Sequence, residues 1–362
     1  MQNYMNVKKD FVWAFVLFLN LIIYFLYLKT GSHIFLGLYF ASGFSLFFIF
    51  FQEKINIKIL IIFMLMVAFF SIFGLMSQEF PFYINLYNEL YGIVAFISAY
   101  ILFLNKYSVS LVKLIFSLYA SFVFYHVYKL GFNDPDLYNN LLEGSSRNYL
   151  SAIFILLLVL LILVHEKNKE KLSIIYPLVN FLGCVALFGR SGIVFSLLIL
   201  LYFSYKKFGL KIFLLILTAI LGMVFYKLNI IENIFLEKTN FVNGVSSERT
   251  IFLSEYLANI TYKPYDLFFG RRLQSCCEWI LLFNSNPHNS FIMGHIRYGI
   301  FHTLFSIGIL IYILLSRNLT YIFLGFVVLS RFFVDQLGLF TAFDIVLFFL
   351  LLLIFSSQQK KQ

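Results

Sequence analysis

Apolar runs close to the length that crosses a bilayer recur along the whole chain, from FVWAFVLFLNLIIYFLYL at 11–28 to FTAFDIVLFFLLLLIF at 340–355. A helix needs about 20 residues to cross roughly 30 Å of hydrocarbon. The runs are continuous rather than alternating, which excludes a transmembrane barrel, whose strands turn every second residue to lipid. Only 12% of the residues are charged, against about 25% in soluble domains. The fold class is therefore an all-α polytopic membrane protein. A net charge of +10 would point to nucleic acid in a soluble chain. Here it follows from cytoplasmic loops that collect Lys and Arg, and no nucleic-acid partner is expected. The opening MQNYMNVKKD leads straight into a stretch long enough to stay as the first span, so no cleavable signal peptide is expected.

The pattern predicts about 12 spans, near 11–28, 32–51, 57–76, 86–104, 109–129, 149–165, 172–188, 191–205, 210–228, 289–315, 319–335 and 340–355. With Lys8 and Lys9 inside, alternate loops hold Lys54 and Lys58, Lys106 and Lys113, then Lys167, Lys169 and Lys171. Lys206, Lys207 and Lys211, then Arg317, then Lys360 and Lys361 fall on the same side. Both termini are thus expected in the cytoplasm. Residues 172–205 form one apolar run broken only by FGRSG. As a single helix it would be about 50 Å long, and both flanks are Lys-rich, so it must cross twice. The turn is expected at Gly189-Arg190-Ser191-Gly192, where glycines permit it. Two outer loops follow, 131–148 and 229–288, the second lying between the ninth and tenth spans and holding an amphipathic helix, SERTIFLSEYLANI. No repeat relates the two halves, which argues against transporters built from repeats.

Arginine and lysine separate in this chain. Arg147, Arg190, Arg249, Arg271, Arg272, Arg297 and Arg331 fall outside or in the outer half of a span, and Arg317 alone lies inside. The preference of basic residues for the cytoplasm does not produce that split. Guanidinium forks hold phosphate and carboxylate in bidentate fashion, so an outward cavity ringed with arginine suits a polyanion such as a lipid pyrophosphate. Plainer readings stand beside this one. Arg147 and Arg190 also suit interfacial anchoring, although the Gly-Arg-Ser-Gly turn offers converging N–H groups to an anion. Arg249 sits in the first turn of the loop helix, against a dipole penalty of roughly 0.3–1 kcal/mol, which favours a ligand. Arg271 and Arg272 follow Gly270 and equally suit solvated loop positions, and Arg331 and Asp335 are spaced to pair on one helix.

NPHNSFIMGHIRYG, residues 286–299, places Pro287 at a first helical position with Asn286 as its cap. His288 would then lie in the first turn, where the positive helix end lowers an imidazole pKa. A neutral histidine there can take a proton from a hydroxyl; capping or an interfacial position is the alternative. His288, His295 and His302 are spaced by sevens along one expected face, but the step is about 10.5 Å. Zinc needs each nitrogen within about 2.1 Å, so no shared metal is expected, and His295 and His302 are read as interior packing. Glu248 and Glu255 lie seven apart on the loop helix, and Asp134 and Asp136 in the other outer loop, all four suiting solvated faces. Asp344 and Glu89 lie within spans and suit either substrate contact or internal pairing. Cys184, Cys276 and Cys277 carry no metal-site spacing and are read as structural or incidental.

These features together resemble the superfamily of Wzy-type O-antigen polymerases and O-antigen ligases. The likeness rests on the dozen spans, the large outer loop, and HNSFI at the end of that loop. His288, Asn289 and Gly299 fit the ligase-type spacing of His-Asn, nine residues and Gly, with His302 standing where that pattern has Thr or Tyr. GRSG at 189–192, and Arg249 ahead of Pro264 and Gly270, are similar too. The resemblance implies a GT-C-like glycosyltransferase in a bacterial cytoplasmic membrane, with its site facing outward. The donor would be a glycan on undecaprenyl pyrophosphate, and the acceptor a sugar hydroxyl of another lipid-linked repeat unit. The anomeric centre would be inverted, with neither metal nor cofactor. His288 and Arg249 would be catalytic. Arg190, Arg147, Asn289, Arg271, Arg272 and Glu248 would hold pyrophosphate or glycan. A chain-length regulator and a flippase of the same pathway would be partners. A ligase, and a flippase or other transporter of lipid-linked oligosaccharide, are the alternative functions.

Overall fold

The computed structural model describes residues 2–51, 56–132, 134–226 and 248–359. Among them every regular element is helical, as a bilayer requires when backbone groups must be satisfied within the segment. Contacts divide the chain into two compact units, Met1–Tyr27, Ser32–Ser108 and Glu248–Gln362 in the first, and Leu28–Gly31 with Val109–Ser247 in the second.

The first unit contains α1 (Gln2–Thr30, as far as Tyr27), α2 (His33–Phe51), α3 (Ile57–Leu75) and α4 (Phe82–Leu104). The second contains α5 (Ser108–Leu130), α6 (Arg147–Asn168), α7 (Ile175–Ala186) and α8 (Arg190–Tyr226). The chain returns to the first unit for α9 (Glu248–Leu257), α10 (Pro264–Phe269), α11 (Glu278–Leu282), α12 (Ser290–Leu315), α13 (Leu319–Val334) and α14 (Asp344–Gln359). Eight helices among the described residues are long and apolar enough to cross a membrane. Three shorter apolar helices, α7, α13 and α14, coincide with further expected spans. Within α8, Gly209 leaves helical geometry at φ 78°, between the expected eighth and ninth spans. Large apolar side chains point outward along the helices, such as Phe48 at 71% and Ile62 at 63% exposure. Water would not tolerate so much contiguous apolar surface, whereas hydrocarbon does. This is an all-helical membrane protein.

In the first unit α4 is central and packs on α2, α3 and α14. Its polar residues are only partly satisfied: Ser71 donates to Glu89 Oε2 at 2.7 Å and Tyr298 donates to the main-chain carbonyl of Asn85 at 2.9 Å, while Glu89 Oε1, Asn85 Oδ1 and Ser98 Oγ are buried without a hydrogen-bond partner among the described residues. Asp344 likewise accepts from the amides of Leu339 and Thr341 at 2.8 and 2.7 Å. Asp344 is thus paired through both carboxylate oxygens, whereas Glu89 is paired through one.

In the second unit α7 and α8 form the expected hairpin against α6, but the turn begins two residues before the expected one and ends at Gly189. The break falls at 187–189, with Phe188 carrying the positive φ of 55°. Gly189 and Gly192 instead allow close approach. A Cβ on Gly192 would lie 2.5 Å from Ser151 Oγ, and one on Gly189 would lie 2.9 Å from Asn148 Oδ1. Small residues at such crossings let backbones meet, because packing rather than hydrophobicity drives helix association in lipid.

Candidate functional site

The expected amphipathic helix forms as α9. Phe252 and Tyr256, four apart, turn into a small core with Ile260, Leu273, Cys277, Ile280, Ile292 and Ile296. The loop from 248 onward therefore folds down on the first two turns of α12. Its part before 248, and the side chain of Glu248, lie outside the described residues. Tyr256 donates to His295 Nδ1 at 2.7 Å, and His295 Nε2 lies 2.9 Å from the carbonyl of Leu267. A carbonyl only accepts, so the proton of His295 sits on Nε2 and its Nδ1 receives the phenol. Burial pushes the Tyr256 phenol well above its ordinary range, against the opposing pull of Arg271.

Two glycines lock this loop to α12. Gly270 (φ 84°) leaves its absent Cβ 2.5 Å from the carbonyl oxygens of His295 and Ile296. Gly299 (φ 57°, ψ −150°) breaks the helix and leaves its own 1.8 Å from the carbonyl oxygen of Phe268. Only glycine populates that region of φ/ψ space routinely. The spacing between His288 and Gly299 thus has a packing reason.

The start of α12 differs from the sequence expectation. The cap is Asn289, whose Oδ1 accepts from the amides of Phe291 and Ile292 at 2.8 and 3.1 Å. Asn286 instead accepts from the amide of His288 at 2.8 Å, a local turn. His288 therefore precedes the helix, in the left-handed region at φ 47°, and not in its first turn. The dipole argument for a lowered pKa loses its premise. The three histidines do not share one face either: the bend at Gly299 folds the His302 ring over Gly294, where a Cβ would meet it at 2.0 Å. Asn286, the expected cap, and Asn289, the observed one, carry the same side chain. The choice is made by Ser290, which donates to the carbonyl of Asp335 and accepts from the amides of Leu337 and Gly338, each at 3.0 Å.

Asp335 also gathers the arginines. Its Oδ1 takes Arg249 Nη2 at 3.0 Å and its Oδ2 pairs with fully buried Arg331. The expected i,i+4 pair is present, and Arg249 is its third member. His288, two residues before Ser290, is half-buried, its ring near Phe252 (centroids 6.3 Å, planes 21° apart) and Phe283 (6.2 Å, edge-on). Phe252 is one turn along α9 from Arg249. His288 and Arg249, which the sequence paired only as candidates, are thus brought to one corner of the first unit.

The other candidates are spent on structure to differing degrees. Arg271 is buried, donates to the carbonyls of Tyr256 and Ala258 at 2.6 and 2.8 Å, and lies 3.6 Å from Asp266, so it ties off the end of α9. Exposed Arg272 donates to the carbonyl of Gln78 at 3.3 Å. Asn289 Oδ1 is committed to capping. In the second unit Arg147 is buried beside Asp136 at 3.6 Å, and Arg190 opens α8. Sequence reasoning gave little weight to Arg297. Its guanidinium lies 4.8 Å over the Phe80 ring, and its Nε and Nη1 are buried without a hydrogen-bond partner among the described residues. The missing signal was Phe80, which is distant in sequence. Cys276 and Cys277, read as incidental, are joined by a disulfide within the loop core. Comparison with models of known families, with curated proteins and with solved structures finds no match to this chain.

Proposed function

We propose that this protein is a membrane-embedded glycosyltransferase that joins lipid-linked saccharide repeat units, taking the glycan from a polyprenyl pyrophosphate. The observation that carries the reading is the start of α12, where Ser290 bonds to Asp335, the partner of Arg249 and Arg331, and where the His288 ring lies near Phe252, one turn from Arg249. In the reaction, a bond forms between the acceptor hydroxyl oxygen and the anomeric carbon of the donor as the bond to pyrophosphate breaks. His288 takes the hydroxyl proton, and the pyrophosphate leaves carrying its extra charge. Arg249, with Arg272 and Arg297 of the same unit, offers guanidinium donors to that charge. Arg249 is suited to the task because Asp335 keeps Arg331 as a second partner when Arg249 turns to a ligand.

The loop faces outward in this reading, with both termini in the cytoplasm and the membrane a bacterial inner membrane. The lysine distribution supports that orientation. The Cys276–Cys277 disulfide supports it independently, since disulfides persist in oxidising compartments.

The test is gel electrophoresis of surface glycan from a strain lacking the gene, complemented with wild type, His288→Ala or Arg249→Ala. A polymerase leaves a single repeat unit attached where long chains were. Loss of all attached glycan would mean a ligase, and repeat units trapped on the inner side would mean a flippase. If both variants, present at wild-type level in the membrane, restored full chain length and amount, the site assignment would be wrong.

A further inference from the structure

The second unit contains a cavity of about 470 Å³ at the end of α6, the start of α7 and the middle of α8. Its mouth is charged, with Lys171, Lys206 and Lys207 against Glu166 and Glu170. Its depth is apolar, with Ile162, Pro177 and Phe203. None of these residues enters the proposed transfer reaction.

The charges leave room for an anion. Glu166 is taken by Lys206 at 2.5 Å, which leaves Lys171 and Lys207 against Glu170 alone. The first turn of α7 opens onto the same mouth, where Ser173 accepts from its first amides, Ile175 through Oγ at 3.4 Å and Tyr176 through its carbonyl at 3.3 Å. The helix dipole still adds a weak positive end beside the lysines. His165 is only 2% exposed, and its Nδ1, 2.8 Å from the carbonyl of Leu161, must carry the proton. Nε2 is left to the cavity, where it can accept from a hydroxyl.

We propose that this cavity binds an anionic glycerophospholipid of the lysine-rich leaflet. The phosphate sits between Lys171 and Lys207, a head-group hydroxyl reaches His165, and the start of an acyl chain lies along Ile162, Pro177 and Phe203. A free phosphate would use the same cations but not the apolar depth. Basic pockets between spanning helices on the cytoplasmic side suit such head groups. The site is independent of glycosyl transfer.

The experiment uses the full-length protein, purified and delipidated in a neutral detergent, with binding read by native mass spectrometry. The probes are dioleoyl-phosphatidylglycerol, dioleoyl-phosphatidylcholine and inorganic phosphate. Wild type retains phosphatidylglycerol at least tenfold more tightly than phosphatidylcholine. At about 1 kcal/mol per basic residue and 1.4 kcal/mol per decade, Lys171→Gln/Lys207→Gln weakens it about thirtyfold. Glu170→Gln tightens it, and the control Lys9→Gln/Lys58→Gln, in the first unit and outside the cavity lining, changes it less than threefold. Equal retention of the two lipids overturns the proposal, as does a Lys171/Lys207 variant that binds like the control. Saturation by inorganic phosphate that displaces the lipid overturns the lipid as occupant.

Discussion

Replacing Gly299 by alanine tests the interlock between the loop and α12. A new Cβ would lie 1.8 Å from the carbonyl oxygen of Phe268, whereas side-chain contacts begin near 3.0 Å, so one backbone must retreat by 1.2 Å. The neighbouring atoms, Phe268 C at 2.6 Å and Phe269 Cα at 2.8 Å, are also main chain and cannot swing aside. Forcing an L-residue into this φ/ψ region costs of order 1–3 kcal/mol, and displacing packed structure costs about 1–3 kcal/mol more. The expected loss is roughly 2–6 kcal/mol, a large fraction of a marginal stability. Three other glycines calibrate it. Gly270→Ala needs a shift of only 0.5 Å from its contacts at 2.5 Å, and should cost less. Gly131 has φ +70° with open space around it, so its variant pays for conformation alone, about 1–2 kcal/mol. Gly308 has open space in an ordinary helical turn, and alanine there should be neutral or stabilising by up to about 1 kcal/mol. The assay is unfolding by sodium dodecyl sulfate in mixed micelles, followed by circular dichroism. The predicted order of stability is Gly308→Ala, Gly131→Ala, Gly270→Ala, Gly299→Ala, from most to least stable. A Gly299→Ala protein as stable as Gly131→Ala would refute the interlock.

Asp335→Ala leaves fully buried Arg331 without its carboxylate and should destabilise by about 3–5 kcal/mol, whereas Arg249→Ala leaves the Arg331 pair intact and should alter activity far more than unfolding. Tyr256→Phe strands His295 Nδ1 and should cost about 1–3 kcal/mol in the same assay. Because the folded phenol titrates above its unfolded value of about 10, the stability it adds is present below that pH and lost as pH rises further. Wild type should therefore lose its advantage over Tyr256→Phe in strong alkali, and an unchanged difference would count against the buried phenol. Cysteine labelling from outside intact cells should modify a cysteine placed at Tyr262 but not one at Lys207; the reverse pattern would invert the orientation.

Arg249 illustrates how little of the site was local. The sequence marked it because a cation in a helix's first turn is slightly disfavoured, but its partner Asp335 stands 86 positions away. No short-range pattern encodes that. The reading of Asn286 as the cap failed for a similar reason, since Asn286 and Asn289 both carry the right side chain. Ser290 settles the matter through a turn more than forty residues on. Arg297 was undervalued because Phe80 and the loop around it were invisible as neighbours.

The sequence by itself determined the class, most helix positions, the separation of the runs at 191–205 and 210–228 and the amphipathic helix of the loop. Those follow from lipid and local geometry: a bilayer accepts only long satisfied helices, and clusters of charge mark where the apolar runs stop. Tertiary structure alone decided which glycines bend and which admit a neighbour, where α12 begins, and which arginines keep donors for a ligand. Each of those depends on groups far apart in the chain that packing brings within a few ångströms.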